Sequence, residues 1–80
     1  MSGMFQYCIS LISLNLSNFN TWNATDMRYM FNGCNSLTDL NLSNFNAQNV
    51  NNMNMMFNGC NSLLKKNIIS KENKILNLFN

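Results

Sequence analysis

Three cysteines, Cys8, Cys34 and Cys60, carry the most reactive side chains in the chain, and they lie 26 residues apart. Thiolates bind zinc, but three of them without a histidine make an incomplete site, and the paired C-x-x-C spacing is missing. A disulfide would leave one cysteine over, although neighbours in a stack could come within bonding distance. The third alternative is a buried column of small apolar side chains, and we expect this packing role.

The residues needed for acid–base or nucleophilic catalysis do not form a set in this sequence. The chain contains no histidine, so Ser–His and Cys–His pairs are unavailable. Its three carboxylates, Asp26, Asp39 and Glu72, fall in different parts of the pattern and suggest no acid–base pair. We therefore expect a protein that is not an enzyme and needs no metal or other cofactor.

Charge and composition exclude several classes of partner. The net charge is +2, and the lysines cluster in residues 65–80, a segment too short and too weakly charged to predict nucleic-acid binding. No apolar run approaches the length of a transmembrane segment, and no signal peptide or anchor is visible. The chain is asparagine-rich, with 19 asparagines in 80 residues, which raises the tendency to disorder or to β-aggregation. A hydrophobic content of 46% argues against plain disorder.

A repeated octapeptide explains the cysteine spacing. MFNGCNSL occurs at residues 30–37 and 56–63, and MFQYCISL stands at residues 4–11. A fixed period of this length is typical of stacked repeats, in which neighbours cover each other's apolar faces. We predict about two and a half units, at residues 4–29, 30–55 and 56–64 onward. We predict that residues 65–80 form a degenerate cap or an out-of-register tail. Lys66 and Lys71 occupy the repeat positions that correspond to Leu40 and Phe45 in the second unit.

Each unit predicts one short strand and one short helix. Leu40 and Leu42 alternate with Asn41, as in a strand with one buried face. Later in the unit, apolar residues recur at helical intervals, and a glycine follows where a helix would end. In the second unit this series is Val50, Met53, Phe57 and Cys60, with Gly59 near its end. The pattern therefore predicts an α/β repeat with one parallel strand per unit.

The strand face opposite the leucines is the candidate surface for binding a partner. Six polar side chains would line it: Ser13, Asn15, Asp39, Asn41, Lys65 and Asn67. Repeat proteins bind partners through extended surfaces of this kind. An equally good interpretation is structural, because stacked asparagines could hydrogen-bond to one another along the repeats.

The motif M-F-x-G-C-x-S-L-x-x-L-x-L-S-N-F, followed by T-x-x-(A/V)-T-D-M, resembles the 26-residue repeat of the BspA-like leucine-rich-repeat surface proteins. The resemblance covers residues 4–63. It implies a short right-handed solenoid similar to leucine-rich repeats, with no catalytic residues. It also implies a secreted or cell-surface protein that adheres to host proteins or to other cells.

Two hypotheses about function follow. The first is that the chain is a fragment or short member of a bacterial-type surface protein, active in adhesion or protein recognition. The second is that it is a gene remnant, or a structural segment that associates with itself through exposed coil ends. The compartment stays unknown, because the resemblance implies export whereas the chain shows no export signal.

Overall fold

The computed structural model describes residues 2–21 and 23–79. Within them the regular elements are short: β1 (Ser13–Asn15), β2 (Asp39–Asn41), β3 (Ile68–Ile69) and the helix α1 (Asn73–Leu76). Two 3₁₀ turns, Lys65–Asn67 and Asn77–Phe79, flank the last strand and the helix. Among these residues no helix has the length and apolar character needed to cross a membrane.

The three strands form one parallel sheet in the order β1-β2-β3. Between β1 and β2 the register follows the sequence period, with Leu14 beside Leu40 and Asn15 beside Asn41. Leu40 is buried, whereas the polar residues that flank it, Asp39 and Asn41, line the groove on the outer face of the sheet. The alternation of leucine and asparagine therefore separates the core from solvent, as the sequence predicted.

The register changes at the third strand. Leu40 pairs with Ile68, two positions later than the 26-residue period places its partner. Lys66, which the period put beside Leu40, is instead exposed in the 3₁₀ turn Lys65–Asn67, and Lys71 is exposed as well. Burying an ammonium group in an apolar core is costly. The turn takes up two extra residues, so that an isoleucine enters the core in place of a lysine.

The helix expected in the second half of each unit is not formed in residues 23–34 and 49–60, which are tight turns. In the second unit, alternate backbone amides donate to carbonyl groups 25 residues further along the chain: Tyr29 to Asn54 at 3.1 Å, Phe31 to Met56 at 2.9 Å and Gly33 to Asn58 at 2.7 Å. An α-helix would use these amides within the segment. Positive φ angles at Tyr29 (58°) and Gly33 (79°) also interrupt any helix. The helical spacing of apolar residues therefore reflects successive turns that share one buried side.

Equivalent phenylalanines lie above one another through the core. The rings of Phe5 and Phe31 are 5.6 Å apart and nearly parallel, with an angle of 2° between them. Those of Phe31 and Phe57 are 5.4 Å apart at 6°. Offset stacking of this kind adds to the free energy gained from burial alone. The 26-residue interval therefore places identical side chains in contact.

The C-terminal segment covers the third unit. Ile75 of α1 is fully buried, and the ring of Phe79 packs on Phe57 with 4.7 Å between the ring centres. Met56 is 1% exposed, so the third unit's methionine is as well covered as that of the second. Residues 65–79 thus form part of the folded domain.

Polar side chains of this segment bond to the loop at residues 46–50. The Lys74 Nζ donates to the carbonyl groups of Ala47 and Val50, at 3.0 Å each. The Glu72 Oε1 accepts a hydrogen bond from the Ala47 amide at 3.1 Å. One unit earlier, Thr21 makes the comparable contacts, with its Oγ1 bonded to both the amide and the carbonyl of Asn46. Side chains therefore satisfy backbone groups where no further strand pairs with them.

Candidate functional site

The outer face of the sheet carries a shallow groove of about 220 Å³. It runs across all three strands, because each strand contributes residues at matching positions. Its lining consists of Ser13, Leu14, Asn15, Asp39, Leu40, Asn41, Asn67 and Ile69. Since neighbouring parallel strands lie about 4.8 Å apart, the three strands together form a narrow surface.

Five of the six residues that the sequence assigned to this face line the groove. The exception is Lys65, which lies in the 3₁₀ turn before β3 and is exposed elsewhere. Ile69 pairs with Asn41 and occupies the position expected for a polar residue. Sequence reasoning missed Ile69 because it kept the 26-residue period through the third unit. The pair Ile68–Ile69, two β-branched residues in a row, was the signal for a strand in the shifted register.

Asn15 and Asn41 hold the turns that follow their strands. The Asn15 Oδ1 accepts the amide of Ser17 at 2.9 Å, and the Asn41 Oδ1 accepts the amide of Ser43 at 3.0 Å. These bonds close Asx turns, a common local role of asparagine. The Oδ1 atoms of both asparagines therefore bond within their own repeat.

Side-chain bonding between stacked asparagines occurs at a different position. The Asn58 Nδ2 donates to the Asn32 Oδ1 at 3.2 Å, and the two residues are 26 positions apart. Asn32 is buried beside the glycine turn. Hydrogen bonding between stacked asparagines is thus seen just before the glycines of the turns, at Asn32 and Asn58. Asn15 and Asn41, on the strand face, line the groove.

Asp39 supplies the single formal charge among the residues that line the groove. Its Oδ2 accepts the Thr38 hydroxyl at 2.9 Å, which fixes the carboxylate at the exposed rim. Around it the lining alternates amide, hydroxyl and aliphatic groups. A surface with one carboxylate and several amides suits a partner rich in hydrogen-bond donors.

The cysteines form a column beside the phenylalanines. The Cys34 Sγ donates to the Phe5 carbonyl and the Cys60 Sγ to the Phe31 carbonyl, each at 3.0 Å. All three thiols are free. Burial raises the pKa of Cys34 above the ordinary thiol value, and it raises the pKa of Cys60 to about 11. These two thiols therefore stay protonated near neutral pH, a form that neither attacks electrophiles nor binds metals.

The other carboxylate near the repeats is engaged by arginine. The Arg28 guanidinium donates to both carboxylate oxygens of Asp26, at distances from 2.8 to 3.1 Å. This hydrogen-bonded pair lowers the pKa of Asp26. Within residues 2–21 and 23–79, no three His, Cys, Asp or Glu side chains are grouped closely enough to hold a metal ion.

The stacked units, the inter-unit hydrogen bonds and the polar strand face define a repeat-type domain. A family model described as "Mycoplasma protein of unknown function, DUF285" matches residues 1–79, and the chain belongs to this family. No curated protein and no solved structure matches the chain. The family match includes the C-terminal segment together with the repeats, which agrees with the packing of Ile75 and Phe79.

Proposed function

We propose that the chain is a short solenoid of the BspA-like leucine-rich-repeat type, and that it acts in adhesion or protein recognition without catalysis. The observation that carries this proposal is the exposed groove across β1, β2 and β3, where side chains from all three strands line one open surface. The resemblance of the 26-residue motif to that of surface adhesins supplies the class of activity. Binding along a sheet face is the usual way in which repeat proteins meet their partners.

The groove combines features that favour weak, reversible contact with a protein. Amide and hydroxyl groups from Ser13, Asn15 and Asn41 offer hydrogen bonds in both directions, while Ile69 offers an apolar contact and is 58% exposed. The whole molecule extends only 29 × 25 × 20 Å, so one face offers less than the roughly 800 Å² per partner of a standard interface. We therefore propose that single copies bind weakly and that many copies on one surface bind strongly.

The alternative hypothesis has two forms. The first, a gene remnant without its own function, receives less support, while the second, a structural segment that associates with itself, stays a prediction. A random tail would not be expected to bury Ile75 completely or to satisfy backbone groups through Glu72 and Lys74. The family match runs through the same segment. Both observations favour a C-terminal segment that is a regular part of the domain.

Retention of protein-coated beads on cultured epithelial cells tests the proposed adhesion. Ser13→Arg places a bulky charge in the groove, whereas Gln48→Arg makes the same addition of charge at an exposed position away from it. We expect beads carrying the unaltered chain and Gln48→Arg to be retained, and beads carrying Ser13→Arg to wash off. Equal retention of all three preparations, or retention of none, would contradict a role of this face in adhesion.

A further inference from the structure

The two copies of MFNGCNSL place the same Asn–Gly pair in two different surroundings. The pair is Asn32–Gly33 in the second unit and Asn58–Gly59 in the third. An asparagine followed by glycine is prone to deamidation, because glycine has no Cβ to hinder attack of its amide nitrogen on the preceding side chain. The neighbouring residues of the two pairs are identical, so a difference in their reactivity must come from the fold.

The stack protects the pair in the second unit. Asn32 is only 8% exposed, and its Oδ1 accepts the Asn58 Nδ2 at 3.2 Å. The Gly33 amide donates to the Asn58 carbonyl at 2.7 Å, and the Gly33 carbonyl accepts the amide of Asn35 at 2.8 Å. A backbone nitrogen held in this way attacks its neighbour only after the turn has opened locally. Deamidation of Asn32 therefore requires a transient opening of the stack.

The same pair in the third unit is open to solvent. Asn58 is exposed and lines an open cavity of about 350 Å³. Among the residues that the structure describes, the Gly59 amide donates to no acceptor. In the same part of the chain, the Gly59 carbonyl does not accept the amide of Asn61, although the equivalent bond closes the turn at Gly33. The nitrogen that would attack is thus free of the bonds that restrain its counterpart.

One contact restrains the Asn58 side chain, namely the bond from its Nδ2 to the Asn32 Oδ1. Because Asn58 is exposed, water can replace Asn32 as the acceptor. The carboxamide of Asn58 can therefore turn toward Gly59 without opening the core. The buried carboxamide of Asn32 has no such freedom.

We propose that Asn58 is a site of spontaneous deamidation, and that stacking protects the identical pair at Asn32. The inference concerns covalent modification of the third unit, and it does not depend on the groove or on adhesion.

The reaction needs only hydroxide and water. The Gly59 nitrogen loses its proton to hydroxide and attacks the Asn58 Cγ, which closes a succinimide ring. The bond from Cγ to Nδ2 breaks, and this nitrogen takes up a proton and leaves as ammonia. Water then adds to one of the two ring carbonyls. Cleavage of the ring at Cγ gives aspartate, whereas cleavage at the backbone carbonyl gives isoaspartate, in which the main chain runs through the side chain.

Both products change the contact between the second and third units. A carboxylate cannot donate to the Asn32 Oδ1, so the bond between the two stacked residues is lost. Isoaspartate also adds a carbon to the backbone next to Gly59, which lies close to Gly33: a Cβ built at Gly59 would be 3.3 Å from the Gly33 nitrogen and Cα. Each product carries one more negative charge than the unmodified chain.

Incubation of the full chain tests the proposal, because the two identical octapeptides serve as internal controls for each other. One sample is kept folded in neutral buffer with a reducing agent, and a second is unfolded in urea at the same pH and temperature. Peptides from a chymotryptic digest are then followed by mass spectrometry, with electron-transfer fragmentation to separate aspartate from isoaspartate. In the folded chain we expect Asn58 to convert at least about tenfold faster than Asn32, whose pair must first open. In urea the two asparagines should convert at equal rates.

Ammonia release provides a second measurement. Asn58→Gln replaces an exposed side chain by one that would have to close a larger and slower ring, and it should remove most of the early ammonia released by the folded chain. Asn54→Gln makes the same change at an exposed asparagine that precedes methionine, and it should leave the release unchanged.

Three outcomes would overturn the proposal. The first is conversion of Asn32 and Asn58 at equal rates in the folded chain, and the second is faster conversion of Asn32. The third is a preference for Asn58 that persists unchanged in urea, because the fold would then not be its cause.

Discussion

Leu40 on β2 lies beside Ile68 on β3, 28 positions further along the chain, whereas Leu14 lies beside Leu40 at the regular interval of 26. The two additional positions are absorbed by the 3₁₀ turn Lys65–Asn67. The third strand thus keeps an apolar residue against the core although the repeat pattern has ended. This shift in register determines which residues of the C-terminal segment carry stability.

Truncation of Ile68 should lower the free energy of unfolding strongly, whereas truncation of Lys66 should change it little. Ile68→Ala removes a buried side chain and leaves a cavity, which typically costs about 2–5 kcal/mol in the free energy of unfolding. Lys66→Ala changes an exposed residue and should stay within about 0.5 kcal/mol of the unaltered chain. Urea denaturation monitored by circular dichroism measures both. The reverse order of effects would show that the third strand follows the 26-residue register.

Gly33 is required by its backbone angle and by its neighbour. Its φ is +79°, and a Cβ built there would lie 2.5 Å from a ring carbon of Tyr7. Gly33→Ala should therefore lower the free energy of unfolding by about 1–3 kcal/mol, the usual range for strain at such positions. Combining it with Tyr7→Ala removes the steric conflict and should recover part of the loss. If the losses in free energy of unfolding from the two single variants simply added in the double variant, the contact between Gly33 and Tyr7 would not contribute to the effect of Gly33→Ala.

Lys74 should stabilise the fold through two backbone carbonyl groups. Lys74→Met keeps much of the aliphatic chain but removes the donor to Ala47 and Val50, and we expect a loss of about 1–2 kcal/mol. Lys71→Met is the matched control, because Lys71 is exposed on the same segment. Thermal melts of the three proteins compare them. A similar change in both variants would indicate an effect of net charge alone.

The buried thiol of Cys60 should make the free energy of unfolding depend on pH in the alkaline range. Its pKa is about 11 in the folded protein, against 9.0 for an ordinary thiol, because burial disfavours the thiolate. As the pH rises above 9, the unfolded chain loses this proton first, so the free energy of unfolding should fall between pH 9 and about 11. Below that range the contribution is fully present.

Cys60→Ala separates this effect from the titration of lysine and tyrosine. Urea denaturation at a series of alkaline pH values should show a shallower loss of stability for the variant than for the unaltered chain. Parallel slopes for the two proteins would mean that Cys60 is reached by solvent. Mass spectrometry of the intact chain, before and after reduction, tests the disulfide alternative in the same samples.

The sequence alone predicts much of the stack, because stacked units place residues that lie one repeat interval apart at equivalent positions. The columns of Phe31 and Cys34 and the pairing of Leu14 with Leu40 follow from the repeat. The polar strand face was also predictable, since the residues that alternate with buried leucines must point outward. Ser13, Asn15, Asp39 and Asn41 lie at the groove for that reason, whereas Asn67 reaches it from the 3₁₀ turn in the shifted register.

Two features could not be predicted from the same pattern. Apolar residues at helical intervals are compatible with an α-helix and also with a series of tight turns that bury one side. The periodicity does not show whether the backbone amides bond within the segment or to the next unit. The bonds from Tyr29 and Phe31 to the next unit decide in favour of turns. The two-residue shift in register at Ile68 depends on the free-energy cost of burying the Lys66 ammonium group in the core. That cost arises from tertiary packing and cannot be predicted from the repeat period.

The angle between the last two aromatic rings has a consequence for growth. The stacked rings of Phe31 and Phe57 are nearly parallel at 6°, but the ring of Phe79 is inclined by 52° to that of Phe57. Because the ring of Phe79 is inclined, a further aromatic ring could not stack on it in parallel with the rings of Phe31 and Phe57. A further flat ring could continue the parallel column of Phe5, Phe31 and Phe57 only if Phe79 moved aside, so we expect the C-terminal segment to oppose elongation at that position.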